Sequence, residues 1–478
     1  MDVDVYFGPF TCIAGGNAVG KSNLFDAIMF LSSLTDVPLL EAAMAVRDKT
    51  GRSSDVRSLF HATQEGRLDT ITFEAEMIVP PSGVDDLGQE AKASITFLQY
   101  GVEIVRKSTE SDGLRPQLEI TREELNYVSM GDAMKHLPFK SSPKWKKSVV
   151  KGRRTSKFIS TTRSDSGNTV RLHQEGRAGR TKEFRASTLP RTVLSTVNAA
   201  ESPTALLARR EMQSWRLLQL EPSALRTADS FTAPTEMGTD GSHLAATLYH
   251  LANSQRSTEV DVYASVSNRL SQLVEDVRQV RVERDDKREL LTLVVDSADG
   301  TSHPARSLSD GTLRFLALAV LGADPNARGV LCLEEPENGI HPERIVAMLR
   351  LLQDLAVDIR EPVGDPNPLR QVIITTHSPT VVAQVQDDSL LFAEKAERSS
   401  GRGRSSVILL RHMEKTWRDH TDSARLAIQR GQIIKFLRPV REKGDEDAPK
   451  VLAQRRVIDR PDLSQLSLWP GSSNRIAE

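Results

Sequence analysis

Cysteine is almost missing from this chain of 478 residues: only Cys12 and Cys332 occur, each inside an apolar run. Two such thiols build neither a disulfide framework nor a zinc site. They suit a reducing cytosol, so a cytoplasmic location is expected. Net charge is nearly missing too, at −1 from 63 Lys+Arg against 64 Asp+Glu. No apolar run reaches the ~18–20 residues that a membrane-spanning helix needs, and no signal-peptide pattern follows Met1, so no membrane partner is expected. Internal repeats and long low-complexity tracts are lacking. With 38% hydrophobic and 27% charged residues, the composition excludes wholesale disorder. At roughly 100–200 residues per domain, the length allows two or three domains.

The near-zero net charge hides an asymmetry. Lys135–Arg191 holds sixteen Lys/Arg and three Asp/Glu, which leaves the remainder acidic. Along the chain, Asp2–Tyr6 alternates polar and apolar as a short strand does, and Phe10–Ala14 is a second apolar run. Leu24–Leu34 reads as a helix. Ile71–Val79, Ser94–Arg106 and Leu118–Ile120 read as strands, the first ended by Pro80-Pro81. The basic segment is rich in Ser, Thr and Gly, which predicts irregular β-hairpins. Pro203–Leu220, Gly241–Leu251 and Val260–Val280 read as helices. After Arg288 strands and helices alternate: Leu290–Val295, Gly329–Leu333, Gln371–Thr375 and Val407–Leu410 as strands, Leu313–Leu321 and Pro342–Ala356 as helices. That alternation predicts βαβ units and a parallel sheet. Past Gly431 periodicity fades, so a peripheral tail is expected.

Gly15-Gly16-Asn17-Ala18-Val19-Gly20-Lys21-Ser22 fits the phosphate-binding pattern G-x-x-x-x-G-K-[ST]. Its glycines let backbone N–H groups curl around phosphates. Lys21 neutralises the β/γ oxygens, Ser22 reaches Mg²⁺, and the helix that begins here, with Asn23 in its first turn, points its positive end at the anion. A strand before the loop and a helix after it are the context the motif requires.

Three further pieces stand at strand or helix ends. Val330–Leu333 is an apolar strand that ends in Glu334 and Glu335, at the edge of a parallel sheet where ligands bind. One carboxylate can support the Mg²⁺ shell and the other can polarise an attacking water. Two acids after a strand are also a common solvated loop. Ile374-Thr375-Thr376-His377-Ser378 follows the next strand, so His377 is expected at the same edge, either as a structural side chain or in contact with a γ-phosphate. Leu308-Ser309-Asp310-Gly311-Thr312 opens a helix. Ser309 or Asp310 is an ordinary N-cap there, and such a terminus is equally a second phosphate cradle. Two cradles far apart in one chain suggest two chains that sandwich nucleotide between them.

Taken together, the four pieces resemble the head of an ABC-type ATPase, of the SMC/RecF branch. The likeness is nearest to the RecF-like and OLD-like ATPases of bacterial DNA repair and phage defence. It covers about residues 3–80 and 285–395. It implies an α/β fold, a P-loop NTPase head of the ABC type with a central β/helical insertion. The implied divisions are an N-terminal ATPase lobe (1–100), a basic β-rich insertion (101–200), a helical subdomain (201–284), a second ATPase lobe (285–411) and a peripheral tail (412–478). Gly15–Ser22 stands as Walker A, Leu308–Thr312 as the signature, Leu331–Pro342 as Walker B and D-loop, and Thr375–Pro379 as the switch-histidine loop. The resemblance implies ATP and Mg²⁺ as cofactors. Glu335 would activate water, Glu334 would lie on the Mg²⁺ side, and His377 would sense γ-phosphate. Ser309, Asp310 and Gly311 would close on a partner's ATP in a homodimer, with Asn338 and His341 across the seam. Gln64, just before a strand, is the candidate for the glutamine loop beside the metal. Many such heads carry Asp where Glu334 stands. Relatives also carry a strand and turn before Asp2, so a first strand is expected to be missing.

No Toprim pattern of a Glu and Asp-x-Asp follows His377, and no H-N-H nuclease, protease or kinase signature occurs. The expected function is therefore an ATP-hydrolysing head that acts on DNA or gates a partner effector such as a nuclease encoded nearby. The alternative is a non-catalytic scaffold clamped by ATP; an ABC transporter subunit fits the large insertion poorly. Lys140–Lys157 interleaves Lys144, Lys146, Lys147, Lys151, Arg153 and Arg154 with Trp145. Cations that track phosphates and an aromatic that stacks on bases would suit nucleic acid. A solvated face, or an acidic protein partner, fits the same residues.

Overall fold

A computed structural model describes residues 2–46, 56–63, 66–107, 117–165, 167–175, 180–254, 259–400, 403–421 and 426–429. Asp2–Tyr6, which reads as a short strand in the sequence, belongs to none of the described strands. Side chains take its carbonyl groups and those that follow: Arg418 donates to Tyr6 O, and Gln371 donates to Phe7 O and Gly8 O. The first strand, β1 (Phe10–Ala14), is wholly buried, and after the phosphate loop α1 runs from Lys21 to Ser33.

Six strands then form one antiparallel sheet. They are β2 (Thr70–Ile78), β3 (Phe97–Lys107), β4 (Gln117–Tyr127), β5 (Ile159–Thr162), β6 (Thr169–His173) and β7 (Thr181–Arg185). Their order is β7-β6-β5-β4-β3-β2. The Ile71–Val79 run, assigned from sequence to the N-terminal lobe, thus pairs within the insertion. Between β4 and β5 the basic segment is a helix before it is a hairpin: α2 spans Pro143–Val149. Pro143 suits the first turn, and the Ser142 hydroxyl caps it by accepting from Trp145 N–H at 3.0 Å.

The helix expected over Pro203–Leu220 ends early. α3 covers Pro203–Gln213, and Arg216–Leu218 is a strand, β8, parallel to the strand that carries the paired acids. Likewise Val260–Val280 divides into α4 (Glu259–Ser271) and β9 (Val277–Asp285). β9 pairs antiparallel with β10 (Leu290–Ser297) in a small separate sheet, so β10 is not part of the parallel sheet. In both places tertiary pairing overrides local helical periodicity.

The last third follows α/β order: α5 (Asp310–Ala323), β11 (Gly329–Glu334), α6 (Ile345–Leu355) and β12 (Arg370–Thr376). A long antiparallel hairpin follows, β13 (Leu390–Ser400) and β14 (Gly403–Met413), and β15 (Ala427–Ile428) lies beside it. The main sheet has the order β8-β11-β12-β1-β13-β14-β15. Strands β8, β11, β12, β1 and β13 run parallel. Both faces are covered, which suits the near-continuous apolar runs of β1, β11 and β12. Phe10, Cys12 and Ala14 meet the core under α5 and α6, while Ile13 and Ile373 meet Leu24 and Phe25 of α1. The mixed α/β class expected from sequence is the observed one. Residues 430–478 of the expected tail lie outside the described residues.

Trp145 corrects the sequence reading. It is only 1% exposed, packed with Phe97, Leu137, Val149 and Val357, and its ring meets Phe139 edge-on at 5.6 Å. One face of α2 is core, with Trp145 and Val149 four residues apart, and the other carries the lysines. No base can stack on this ring. Trp145→Ala should therefore destabilise the fold by about 3–5 kcal/mol, the cost of emptying a buried aromatic site. Denaturant unfolding checks this; a loss below ~1 kcal/mol would mean that the ring is not core.

Candidate functional site

The register of the parallel strands assembles the site. Ala14 pairs with Thr376, and Glu334 with Thr375, so β1, β12 and β11 end at one level. The phosphate loop, the paired acids and the switch segment all leave the sheet there. Within the loop, a Cβ on Gly15 would meet Ala393 O at 2.7 Å, so only glycine fits. Gly20 has φ +107°, and it turns the chain into α1. Lys21 is 8% exposed, and its ammonium donates to Gly15 O at 2.7 Å and Gly16 O at 2.9 Å. Burial pulls its pKa down, against the upward pull of Glu335, Glu337 and Glu334. Those opposing effects identify one electrostatic cluster around the loop.

Glu335 adopts φ +45°, a left-handed conformation that a non-glycine residue enters at a cost, and Pro336 follows it. The turn aims its carboxylate at His377, whose Nδ1 lies 2.6 Å from Oε1. Asn338 Nδ2 donates to Oε2 at 2.9 Å. Partial burial works against the charge, but the Asn338 and His377 bonds outweigh it and hold the carboxyl below its ordinary value. A carboxylate ionised, oriented on both oxygens and half-exposed is equipped to take a proton from water.

A cavity of about 850 Å³ lies against this cluster. Asn17, Ala18, Val19, Gly20, Lys21, Ser22, Asn23, Glu334, Glu335 and Asn338 line it, with Arg314 and Leu318 of α5. Ser22, at the start of α1, and Glu334, at the end of β11, therefore open on one space. Among the described residues no group of three or more His, Cys, Asp or Glu could cage a metal. Mg²⁺ suits such a sparse set: it takes one or two protein oxygens and completes its shell with phosphate and water. A larger cavity of about 1210 Å³ runs beneath β2, beside Phe30, Phe73 and Trp215, and of these motif residues only Asn23 reaches it.

The signature segment is arranged differently. Ser309 caps α5 by accepting from Thr312 N–H at 3.2 Å, and Asp310 pairs with Arg226. Ser309 and Asp310 are exposed, and neither they nor Gly311 line the cavity. Gly311 approaches the D-loop instead, where a Cβ would stand 3.6 Å from Gly339 O. His341, with a side chain 67% exposed, accepts from Glu343 N–H.

Matching against protein-family models gives the class. Residues 10–383 match the family described as "AAA domain, putative AbiEii toxin, Type IV TA system". The chain belongs to this AAA family. No curated protein matches the chain. It is similar to a solved SMC head bound to the C-winged helix domain of ScpA, at 13% identity over 86% of this chain and 93% of that chain, with a TM-score of 0.40. A Pyrococcus furiosus Smc head with an extended coiled coil, bound to the C-terminal domain of ScpA, is 11% identical over 84% and 91%, with a TM-score of 0.36. The SMC head domain from Thermotoga maritima is 11% identical over 85% and 92%, with a TM-score of 0.29. As a member of an AAA family the chain is an ATPase-type domain, and Gly15–Ser22 is its match to the phosphate-loop pattern.

Within this AAA-family chain, Gln64 lies outside the described residues. A different glutamine reaches the cavity: Gln219, exposed, directly after β8 and beside Leu218 and Glu221 in the wall. Its strand neighbours β11, so Gln219 emerges at the same sheet edge as Glu334. The signal was a three-residue strand that read as the end of a helix. Of the basic residues, Lys144, Lys147, Lys151 and Arg153 are exposed and Lys146 half-buried, whereas Arg154 lies over the Phe158 ring at 4.5 Å and 3.7 Å from Glu175.

The hydrogen bond from Asn338 predicts a pH effect. It favours the ionised Glu335, so its removal raises the pKa of a carboxyl that would have to be ionised to take a proton from water. Asn338→Ala should move the acidic limb of the turnover–pH profile to higher pH. A limb that stays in place would contradict the role assigned to that bond.

Proposed function

We propose that this AAA-family chain is an ATP-hydrolysing head of the ABC type, which closes as a homodimer around two ATP–Mg²⁺ and reopens on hydrolysis. One observation carries the reading: Lys21, Glu334, Glu335 and His377 converge on one sheet edge, with Glu335 held ionised between His377 and Asn338. In this account the loop N–H groups and Lys21 bind the phosphates, and Ser22 and Glu334 hold Mg²⁺. The metal supplies charge neutralisation across the phosphates. Glu335 accepts the proton of the attacking water, and His377 keeps the carboxylate aimed. Gln219, which lines the cavity, is the glutamine of the metal side. The exposed Ser309 and Asp310 and the half-buried Gly311 lie outside their own chain's cavity, which supports their use on the nucleotide of a second chain.

The exposed cations Lys144, Lys147, Lys151 and Arg153 support a nucleic-acid backbone as the partner surface. With Trp145 in the core, the patch offers charge without a stacking platform, which favours duplex DNA. Such a head would act on DNA or gate an effector, a nuclease among them, in DNA repair or phage defence.

Glu335→Gln should keep ATP binding and lose roughly 10²-fold in Mg²⁺-dependent phosphate release, the scale of a lost positioned base. Turnover equal to wild type would remove Glu335 from the chemistry. For the patch, duplex affinity should fall with salt at a log–log slope of about −0.9 per phosphate neutralised. Changing Lys144, Lys147, Lys151 and Arg153 together to Glu should flatten that slope in fluorescence anisotropy. Equal affinity and slope in both proteins would leave the patch as a solvated face.

A further inference from the structure

A third acid follows the pair, and the account above gives it nothing to do. Glu337 is 8% exposed, and its side chain turns inward where that of Glu335 turns outward. Its Oε1 accepts from the Thr376 hydroxyl, while its Oε2 is buried with no hydrogen-bond partner among the described residues. Thr376 is itself fully buried. Its Oγ1 accepts from Ser378 N–H at 2.9 Å, and its carbonyl accepts from Gly15 N–H at 3.2 Å. The backbone is thus tied down on both sides of His377, and the tie ends on Glu337. Burial, then the nearby Glu335, push the Glu337 carboxyl above its ordinary value, against the bond from Thr376.

As a structural residue Glu337 is a poor choice. A buried carboxyl oxygen without a partner costs stability, and a hydrogen bond on the other oxygen returns only part of it. The position beside Thr376 explains the acid better than packing does. We propose that Glu337 is a positioning residue for hydrolysis: through Thr376 it fixes the segment that carries His377 and so holds the imidazole against Glu335. This rests on the reading of the site as an ATPase. Glu337 touches neither the reacting water nor the nucleotide in this arrangement; it acts through Thr376 and His377. The same link clasps the D-loop to the phosphate loop, since Thr376 bonds both Glu337 and Gly15.

The test measures turnover, ATP affinity and thermal stability together for wild type, Glu335→Gln, Glu337→Ala, Glu337→Gln, Thr376→Val and the Glu337→Ala/Thr376→Val double variant. Glu337→Ala should lower kcat about 10-fold, the scale of a misplaced catalytic group, with the ATP Kd unchanged within about twofold. Its melting temperature should fall by no more than a few degrees, because the cost of the unpaired Thr376 hydroxyl is offset by removal of the orphan oxygen. Glu337→Gln keeps an acceptor for Thr376 and should restore most of kcat. Thr376→Val, which also loses the bond from Ser378 N–H, should lose at least as much as Glu337→Ala, and the double variant should lose no more than Thr376→Val alone, as two parts of one link do. Additive losses, wild-type kcat in Glu337→Ala, or kcat, Kd and melting temperature all worsening together would overturn the proposal. Turnover abolished in Glu335→Gln but intact in Glu337→Ala overturns it alone. Absent turnover in wild type would remove the ATPase reading and the proposal with it.

Discussion

Parallel pairing of three strands drawn from distant parts of the chain is the constraint on which the site depends. β1, β12 and β11 come from positions 10–14, 370–376 and 329–334, and their register brings Ala14 beside Thr376 and Glu334 beside Thr375. Once those pairs form, the phosphate loop, the acids and His377 are delivered to one edge. The buried apolar faces on both sides of the sheet provide the stability that the edge gives up. At that edge Glu335 sits at φ +45°, Glu337 keeps an oxygen without a hydrogen-bond partner among the described residues, and three carboxylates act on one ammonium. Strain of this kind persists where the surrounding structure over-determines it.

Much of this edge was legible because each part is local. A glycine-rich loop between an apolar strand and a helix has one mechanical use, and acids or a histidine directly after apolar strands must surface at strand ends. The parallel order followed from alternation of strands and helices after Arg288. What was not legible depends on long-range pairing. Arg216–Leu218 is a strand only because β11 lies beside it, so Gln219 was hidden at the end of an apparent helix. β9 and β10 read alone as a helix end and a strand, and only their mutual pairing makes a separate sheet. Trp145 among lysines looked like a base-stacking platform, since local composition says nothing of the i, i+4 face that Trp145 and Val149 turn to the core. Glu337 is illegible for the opposite reason: its neighbours carry the motif, a third acid adds nothing to it, and only the link to Thr376 sets it apart.

The asymmetry between the two phosphate cradles organises the rest of the account. Lys21 and Ser22 open on the cavity, whereas Ser309 and Asp310 stand exposed away from it, the latter held by Arg226. Arg314, one turn further along the same helix, lines the cavity and donates to Asn338 O. Asn338 in turn bonds Glu335. The helix that presents the second cradle is therefore joined by two contacts to the carboxylate of its own chain. In the proposed function, the surface that would engage a second molecule and the centre that would react with ATP are joined through one helix, which is the connection a nucleotide-driven clamp requires.

The central claim is that ATP is held between two chains. It is tested most directly by the mass of the Glu335→Gln protein in solution, measured by light scattering with and without Mg²⁺ and ATP. The account predicts a dimer only with nucleotide, and a monomer that still binds ATP when Ser309→Arg is added. A Glu335→Gln protein that stays monomeric when saturated with ATP, or a Ser309→Arg form that still dimerises, would contradict it.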